Sequence, residues 1–469
     1  MPVGDLIPEL ILLLAAVAIV LFASFAAQRH QAWAAGLALV ALAAAGVASV
    51  AQWGQAPQLS FAGVWALDRP AIVAKLLILV SGAVCVGLSP DWLRGDRRHG
   101  EYYALCLFML LGALMMAAAH DTMELVVGVL LTSVASYPLA AFHRGWAPAL
   151  EAAMKYYLIG ALANALLVLG VVLLFGLVGD TGYATTAAAL AAGVDPWGLV
   201  LAVACMVIGL SFKLAAFPGH AWLPDVAQAA PAPAAALLTV VPKIGAALAL
   251  ARFVALLPDA MAWPAIVALI AAATMTLGNL AALRQRDLRR LLGWSSVSQS
   301  GYALMAIVVL DAAPRALPAL LAFLVAYSLA NLAAFAVVTH WRGRTALDDC
   351  RGLAHSRPLA SAVLIVALLS LVGIPPLVGF VGKLLLFEVT IDGGYTWLAV
   401  LAVINTVISL YYYLRVAATL LFHSPSGEIA VLGRASGWTL AMTAALLAVV
   451  SVAVQALLAP LMGIAFVAA

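Results

Sequence analysis

Charged residues are scarce in this sequence. Of its 469 residues only 9% are Asp, Glu, Lys or Arg, while 66% are apolar. Soluble domains carry about a quarter charged residues, so this composition excludes a water-soluble surface and indicates a chain that uses lipid as its solvent. The net charge of +3, with no basic stripe, also argues against a nucleic-acid partner.

Motifs for cofactors are missing as well. The four cysteines are scattered with no CxxC pair, which argues against an iron–sulfur cluster, a structural zinc ion or a disulfide framework. No GxGxxG or P-loop motif follows a predicted strand, so a nucleotide site is not indicated. We therefore expect no cofactor in this chain.

Apolar segments long enough to cross a bilayer, which takes about 20 residues, fill the sequence. We predict an all-α integral membrane protein with a single polytopic domain over residues 1–469, and we expect the first apolar segment to be a retained span. Spans are predicted at 6–27, 33–52, 70–89, 101–119, 122–142, 152–176, 196–217, 234–257, 261–283, 295–311, 316–340, 359–390, 396–421 and 437–463.

Proline and glycine interrupt two of these spans. The seventh is followed by Pro218 and Gly219, and the twelfth contains Pro375 and Pro376. Because proline removes a backbone donor and clashes with the preceding turn, we expect non-helical backbone near 217–222 and 373–380. Such prolines can also kink helices for packing alone, whereas broken helices at mid-membrane are typical of ion-coupled transporters.

The two breaks lie five spans apart, which predicts an internal repeat. Repeat one would cover about 101–257 and repeat two about 261–421, after three spans at 6–89 and before a final span at 437–463. An odd number of spans per repeat inverts the second copy relative to the first.

Arginine predicts the orientation. Loops after even-numbered spans carry only Arg69 and Arg315, whereas loops after odd-numbered spans carry many more arginines, and the positive-inside rule makes this second set cytoplasmic. Both termini are then expected on the outer side. The arginines after odd-numbered spans are Arg29, Arg94, Arg97, Arg98, Arg144, Arg284, Arg286, Arg289, Arg290, Arg342, Arg344, Arg351, Arg357 and Arg434.

Lysine has the opposite distribution. All five lysines, Lys75, Lys155, Lys213, Lys243 and Lys383, fall within or at the edge of apolar segments. A lysine inside the bilayer costs at least about 2.5 kcal/mol on insertion scales and usually marks a functional path. Unlike arginine, a desolvated lysine can lose its proton. Snorkelling from a helix end could explain Lys155 and Lys75, but it explains the other three poorly.

Other polar groups supply candidate partners. Glu124 opens span 5, Glu151 lies one helical turn before Lys155, and Glu388 could be interfacial. His220 follows the first break and could relay protons or act as an interfacial anchor. Polar residues on spans 10 and 11 could hold ordered water or simply bond helices together. They are Ser295, Ser296, Ser298, Gln299, Ser300, Tyr302, Tyr327, Ser328 and Asn331.

Several segments resemble the proton-pumping, antiporter-like membrane subunits of respiratory complex I. FKLAAFPGHAWLPDVAQAAPAP (212–233) is similar to the family pattern FKxxxxPFHxWxPDVYxGAPxP, and VPKIGAALALAR (241–252) follows at the family's spacing. GIPPLVGFVGK (373–383) resembles the broken twelfth helix. The opening IPELILLL and YSLANLAAFAVV (327–338) are most similar to the subunit N branch.

The resemblance implies a fourteen-helix, redox-free subunit of a proton-translocating NADH:quinone oxidoreductase in a bacterial inner membrane. Lys213, Lys243 and Lys383 match the family's proton-carrying lysines. Quinone, FMN and iron–sulfur clusters would reside in partner subunits, and the partners would be other antiporter-like and small membrane subunits. Quinone reduction elsewhere would drive protonation changes along a buried axis.

Two positions depart from the family pattern. Leu130 stands where the family has a glutamate in span 5, and Gly219 replaces a phenylalanine. The acid that would pair with Lys213 is therefore missing, and Glu124 or a neighbouring subunit could supply another. Three alternatives stay open: a multisubunit cation/proton antiporter, a hydrogenase- or formate-linked complex, and a structural subunit that pumps nothing.

Overall fold

The computed structural model describes residues 2–257, 262–342, 345–424 and 430–467. Within them the chain is almost entirely helical, with one short hairpin of β1 (Gln58–Ser60) and β2 (Trp65–Leu67). The helices are α1 (Ile7–Phe25), α2 (Trp33–Gln52), α3 (Arg69–Trp92), α4 (His99–Ala118), α5 (Thr122–Ala140), α6 (Ala147–Val178), α7 (Tyr183–Ala192), α8 (Pro196–Leu214), α9 (Trp222–Ala229), α10 (Ala232–Val254), α11 (Trp263–Leu283), α12 (Leu288–Val308), α13 (Ala316–His340), α14 (Leu353–Ser356), α15 (Pro358–Val372), α16 (Val378–Asp392), α17 (Thr396–Phe422), α18 (Arg434–Val452) and α19 (Val454–Leu458). Single 3-10 turns cover Val3–Leu6, Gln28–His30 and Leu347–Cys350.

Aspartate begins four of these helices. The carboxylates of Asp68, Asp121, Asp195 and Asp287 accept backbone N–H groups in the first turns of α3, α5, α8 and α12. A short acidic side chain at this position satisfies donors that have no partner within the helix, and it complements the positive end of the helix dipole. Four helix starts are thus fixed by local chemistry.

The apolar helices confirm a multi-span membrane protein. Twelve helices of the described chain are long and apolar enough to cross a bilayer. The other two predicted spans correspond to α12, which is long but more polar, and to the pair α15 and α16. Two predicted boundaries are wrong: α12 begins at Leu288 rather than at residue 295, and the last long helix ends at Val452 rather than at residue 463.

Both predicted helix breaks are present. Residues 215–221 separate α8 from α9, and residues 373–377 separate α15 from α16. At the first break Ala215 adopts the left-handed conformation, with φ of 52°. Gly219 lies against the backbone of Phe212, where a Cβ atom would be 2.7 Å from the Phe212 Cα. This close packing accounts for glycine at the position where the family pattern has phenylalanine.

The same order of helix packing occurs on both sides of the chain's middle. In the first group α4 packs on α5, α6 on α8, and α10 on α4. In the second group α11 packs on α12, α13 on α15 and α16, and α17 on α11. The broken helix is the fourth span in each group. An internal repeat with the predicted bounds would have this order of contacts. The helices α10 and α13 lie at the centre and are buried along their whole spanning length.

The two ends of the bundle differ in charge. Loops rich in arginine meet at one end, where residues 92, 146, 287 and 345 line a single pocket of about 560 Å³. The hairpin, α7 and the chain's first residues lie at the other end, where the His120 N–H donates to the Val64 carbonyl at 2.9 Å. We call these the arginine-rich end and the N-terminal end. The hairpin and α7 were not expected from the sequence.

Candidate functional site

Lys243 lies at the centre of the candidate site, on the fully buried helix α10. Its ammonium donates to the Ser300 hydroxyl at 2.7 Å and to the Ser296 carbonyl, both on α12. The Ser300 hydroxyl in turn donates to the Leu214 carbonyl at 2.5 Å, where α8 ends. A two-bond connection therefore joins Lys243 to the first helix break.

Lys213 lies one residue before that carbonyl and is completely buried. Its ammonium is 5.5 Å from the centre of the Phe212 ring, and it has no hydrogen-bond partner among the described residues. A buried charged group normally requires a counter-charge or hydrogen bonds. Among the described residues no acidic side chain pairs with Lys213, so Glu124 does not take the place of the missing family glutamate here.

Lys383 occupies the corresponding place at the second helix break. It lies on α16, donates to the Val372 carbonyl at 3.0 Å, and is 4.2 Å from the centre of the Tyr302 ring. The amide of Gln299 donates to the Leu371 carbonyl at 3.0 Å. The end of α15 is thus hydrogen-bonded to α12, as the end of α8 is. Lys213, Lys243 and Lys383 are hereafter the axis lysines.

Several of the polar residues predicted on spans 10 and 11 lie around Lys243. The hydroxyls of Ser296 and Tyr327 are 2.6 Å apart, and Tyr327 donates to the Thr239 carbonyl at 2.7 Å. Asn331 donates to the Thr239 hydroxyl at 2.9 Å. Since α12 contributes Ser296, Gln299, Ser300 and Tyr302, one helix contacts both breaks and the central lysine.

Several buried polar atoms beside this network have no protein partner in the described residues. They include the hydroxyls of Ser211, Ser298 and Ser328 and the ammonium of Lys213. Buried polar groups in folded proteins are nearly always hydrogen-bonded to protein or to ordered water. These atoms are therefore chemically suited to hold water between the axis lysines.

The other two predicted site residues are His220 and Glu124. His220 is in the first break, with its ring 5.9 Å from the Trp294 ring, and its Nδ1 atom has no partner in the described chain. Glu124 opens α5 at the N-terminal end and lies in a pocket with Glu9. No ion pair within the described residues joins Glu124 to Lys213.

Leu130, at the position of the family glutamate, lies on the outside of this chain. It is 37% exposed and lines a shallow groove between α5 and α6 together with Asn164. The Asn164 amide donates to the Ser133 hydroxyl at 3.0 Å. The missing acid is therefore replaced by an apolar residue on a surface that faces lipid or a neighbouring subunit.

The lysines and acids at the ends of the bundle form ion pairs. Lys155 is half-exposed and pairs with Glu151 at 2.6 Å, as the helical spacing predicted, and also with Asp225 at 3.0 Å. Glu388 is paired with Arg315 at 2.6 Å. For these residues the interfacial interpretation is the better one.

Snorkelling is wrong for Lys75. Its side chain is fully buried and its ammonium is 2.8 Å from the Glu9 carboxylate. The two residues are far apart in sequence, so the helical spacing that indicated Glu151 and Lys155 gave no signal here. A glutamate inside an apolar first span was the available clue.

A model of the transmembrane subunits of NADH:quinone oxidoreductase and Mrp antiporters matches residues 119–409. The chain belongs to this family. One relative, the NADH-quinone oxidoreductase subunit N of Mycobacterium sp. (strain JLS), is 46% identical to this chain over 358 residues, which are 76% of each chain.

Solved structures agree with this membership. A chain of respiratory complex I from Thermus thermophilus with bound aureothin has a TM-score of 0.84 and 32% identity, and the match covers 98% of this chain and 100% of that one. A chain of the Mrp complex from Dietzia sp. DQ12-45-1b has a TM-score of 0.86 at 21% identity, covering 99% and 97%. The second likeness concerns the fold alone.

Proposed function

We propose that this chain is a proton-translocating membrane subunit of an NADH:quinone oxidoreductase, corresponding to subunit N. The observation that carries the proposal is the continuous contact from the first helix break through Ser300 to Lys243. The 46% identical relative, which bears the name NADH-quinone oxidoreductase subunit N, directs it toward that complex. The antiporter alternative has support from fold similarity at 21% identity and is less favoured.

Protons would pass between the axis lysines by way of α12. Each of these lysines is at most 4% exposed, and the hydrogen bonds made by Lys243 and Lys383 go to neutral groups. Without a carboxylate to hold the ammonium charged, the free-energy difference between the protonated and neutral forms is small enough to respond to a nearby charge. A proton arriving at one lysine would then favour release at the next.

The Ser300 hydroxyl is well suited to this transfer because it accepts from Lys243 and donates toward the first break. Gln299 and Tyr302 extend the polar side of α12 to the second break. Water held by Ser211 and Ser298 would complete the path from Lys213. His220, half-buried in the first break, would serve as a relay toward the bundle surface.

Redox chemistry would occur in other subunits, so the chain itself would carry no cofactor. The four cysteines are buried and form no disulfide, and no group of His, Cys, Asp and Glu side chains suited to a metal ion is found in the described residues. Quinone, FMN and iron–sulfur clusters would be held by partner subunits. The arginine-rich end would face the cytoplasm of a bacterial cell, with both termini outside.

The test is Lys243→Ala in the intact complex, reconstituted in vesicles. Loss of a proton carrier should depress the rate of proton pumping, whereas assembly should survive because the cost of burying the ammonium disappears with it. Lys155→Gln, at the half-exposed lysine, is the matched control and should pump normally. Normal pumping by Lys243→Ala would reject the proposal in favour of a structural subunit.

A further inference from the structure

A second group of buried ionisable residues lies at the N-terminal end, remote from α12. Lys75 on α3 and Glu9 on α1 are 0% and 5% exposed, and their charged atoms are 2.8 Å apart. The Lys75 ammonium is also 4.7 Å from the centre of the Trp65 ring. Cation–π contact adds to the stabilisation of the ammonium form in a desolvated place.

Glu124 on α5, which is half-buried, lies beside this pair. It lines one pocket with Glu9 and Trp65, of about 320 Å³, whose other walls are apolar. Apart from the Lys75 ammonium, neither Glu9 oxygen has a donor nearby among the described residues, and one Glu124 oxygen also lacks a hydrogen-bond partner. Glu9 and Lys75 are both within electrostatic range of Glu124.

The charges in this pocket do not balance. With all three groups ionised, two carboxylates face one ammonium, which leaves one uncompensated negative charge in an apolar pocket. Burying such a charge costs several kcal/mol, and a carboxyl group avoids this cost by taking up a proton. Two carboxylates that share a site cannot both ionise easily, so such a pocket favours the uptake of one proton.

The neighbouring charges do not remove this excess. Arg252 on α10 is paired with Asp68 at 2.6 Å, so its charge is already neutralised. Asp121 caps α5 and accepts from the Thr181 hydroxyl at 2.6 Å. Asp5, beside α1, accepts from Ser60 and Gln58. None of these contributes a free positive charge to the pocket.

We propose that Glu9, Lys75 and Glu124 form a proton-holding site at the N-terminal end, with one exchangeable proton shared by the two carboxyl groups. The site extends the proposed function. Its role as an exchange point for translocated protons rests on that function. It gives Glu124 a role that does not depend on Lys213. In this site Lys75 serves as a fixed counter-ion, which is not the role proposed for the axis lysines.

Dicyclohexylcarbodiimide tests this in the intact complex, because this apolar reagent reacts with protonated carboxyl groups in apolar surroundings. Peptide mass spectrometry should find an adduct on Glu9 or Glu124, but not on both in one chain. In Glu124→Gln the remaining Glu9–Lys75 pair is neutral, so Glu9 should stay ionised and unlabelled. In Lys75→Met both carboxyls should be protonated, and both should react.

Glu101→Gln, at an exposed acid near the arginine-rich end, is the matched control and should label like the wild type. No adduct on either glutamate of the wild type would overturn the inference, as would labelling of Glu9 in Glu124→Gln. Labelling does not depend on proton pumping, so a failure of this inference can be distinguished from a failure of the proposed function. Loss of pumping in Lys243→Ala without any adduct rejects this site alone, whereas an adduct together with normal pumping in that variant rejects the proposed function alone.

Discussion

Buried arginine and buried lysine are used differently in this protein. Arg252 is held by the Asp68 carboxylate at 2.6 Å, and Arg289 donates to backbone carbonyls between α9 and α10. Arginine is always charged, so these contacts are permanent and structural. The axis lysines contact only neutral groups. Apart from Lys75, which is paired with Glu9, the buried cations therefore match their surroundings, with arginine where helices are joined and lysine along α12 and beside the helix breaks.

Ser300 is the residue whose hydroxyl joins Lys243 to the first break, so its removal should slow proton transfer while the fold survives. A hydrogen bond to a charged group contributes about 1.5–3 kcal/mol, which corresponds to a fall of roughly 10- to 100-fold in a rate that depends on it. We expect Ser300→Ala to show this loss in the initial rate of vesicle acidification. Ser300→Thr keeps the hydroxyl and should retain most of the activity, and equal losses in both variants would contradict the assignment.

At the scale of elements, the breaks were predictable because proline and glycine act on their own backbone, without any information from distant residues. The contacts that the breaks make with other helices were harder to predict from the sequence. Ser300 could be noted as polar, but its bond to the Leu214 carbonyl depends on how α8 and α12 pack. The Glu9–Lys75 pair likewise depends on helix packing, since α1 and α3 bring together two residues that are far apart in the sequence. The start of α12 was missed because Arg289, which suggested a loop, is buried within the helix.

Gly379 allows the close approach of α16 to α15. A Cβ atom here would be 1.8 Å from the Ser370 carbonyl oxygen, so Gly379→Ala must displace one of the two half-helices. We expect less of this subunit in the purified complex and slower pumping by what is assembled. Gly176→Ala on α6 is the control, because that position has open space and alanine favours a helix by about 0.5–1 kcal/mol. Comparable losses in both variants would argue against the packing explanation.

For the whole molecule, the distribution of arginine was the most informative property of the sequence. It predicted which loops share one end, and the structure brings several of them around one pocket. The cysteines contribute a practical advantage, since all four are buried. The unmodified chain is therefore a suitable background for single-cysteine labelling.

The orientation predicts opposite labelling at two exposed positions. Arg97→Cys, at the arginine-rich end, should react with a membrane-impermeant maleimide only from the cytoplasmic side. Gln55→Cys, before the hairpin at the N-terminal end, should react only from the outer side. Mass spectrometry of the subunit from intact cells and from inverted vesicles measures both. Reaction of Arg97→Cys in intact cells would reverse the orientation.

The polarity of α12 has a consequence for biosynthesis. This helix contacts the central lysine and both breaks, yet it is too polar to be counted among the twelve apolar spans. A segment of this kind partitions poorly into lipid when it leaves the ribosome alone. Its most extensive packing is with α11, which precedes it directly. We expect the two to enter the bilayer together as a helical hairpin, with the hydroxyl and amide groups of α12 then covered by α8 and α10, made earlier, and by α15, made later. The residues that would conduct protons would thus become shielded only after the helix that carries them has entered the bilayer.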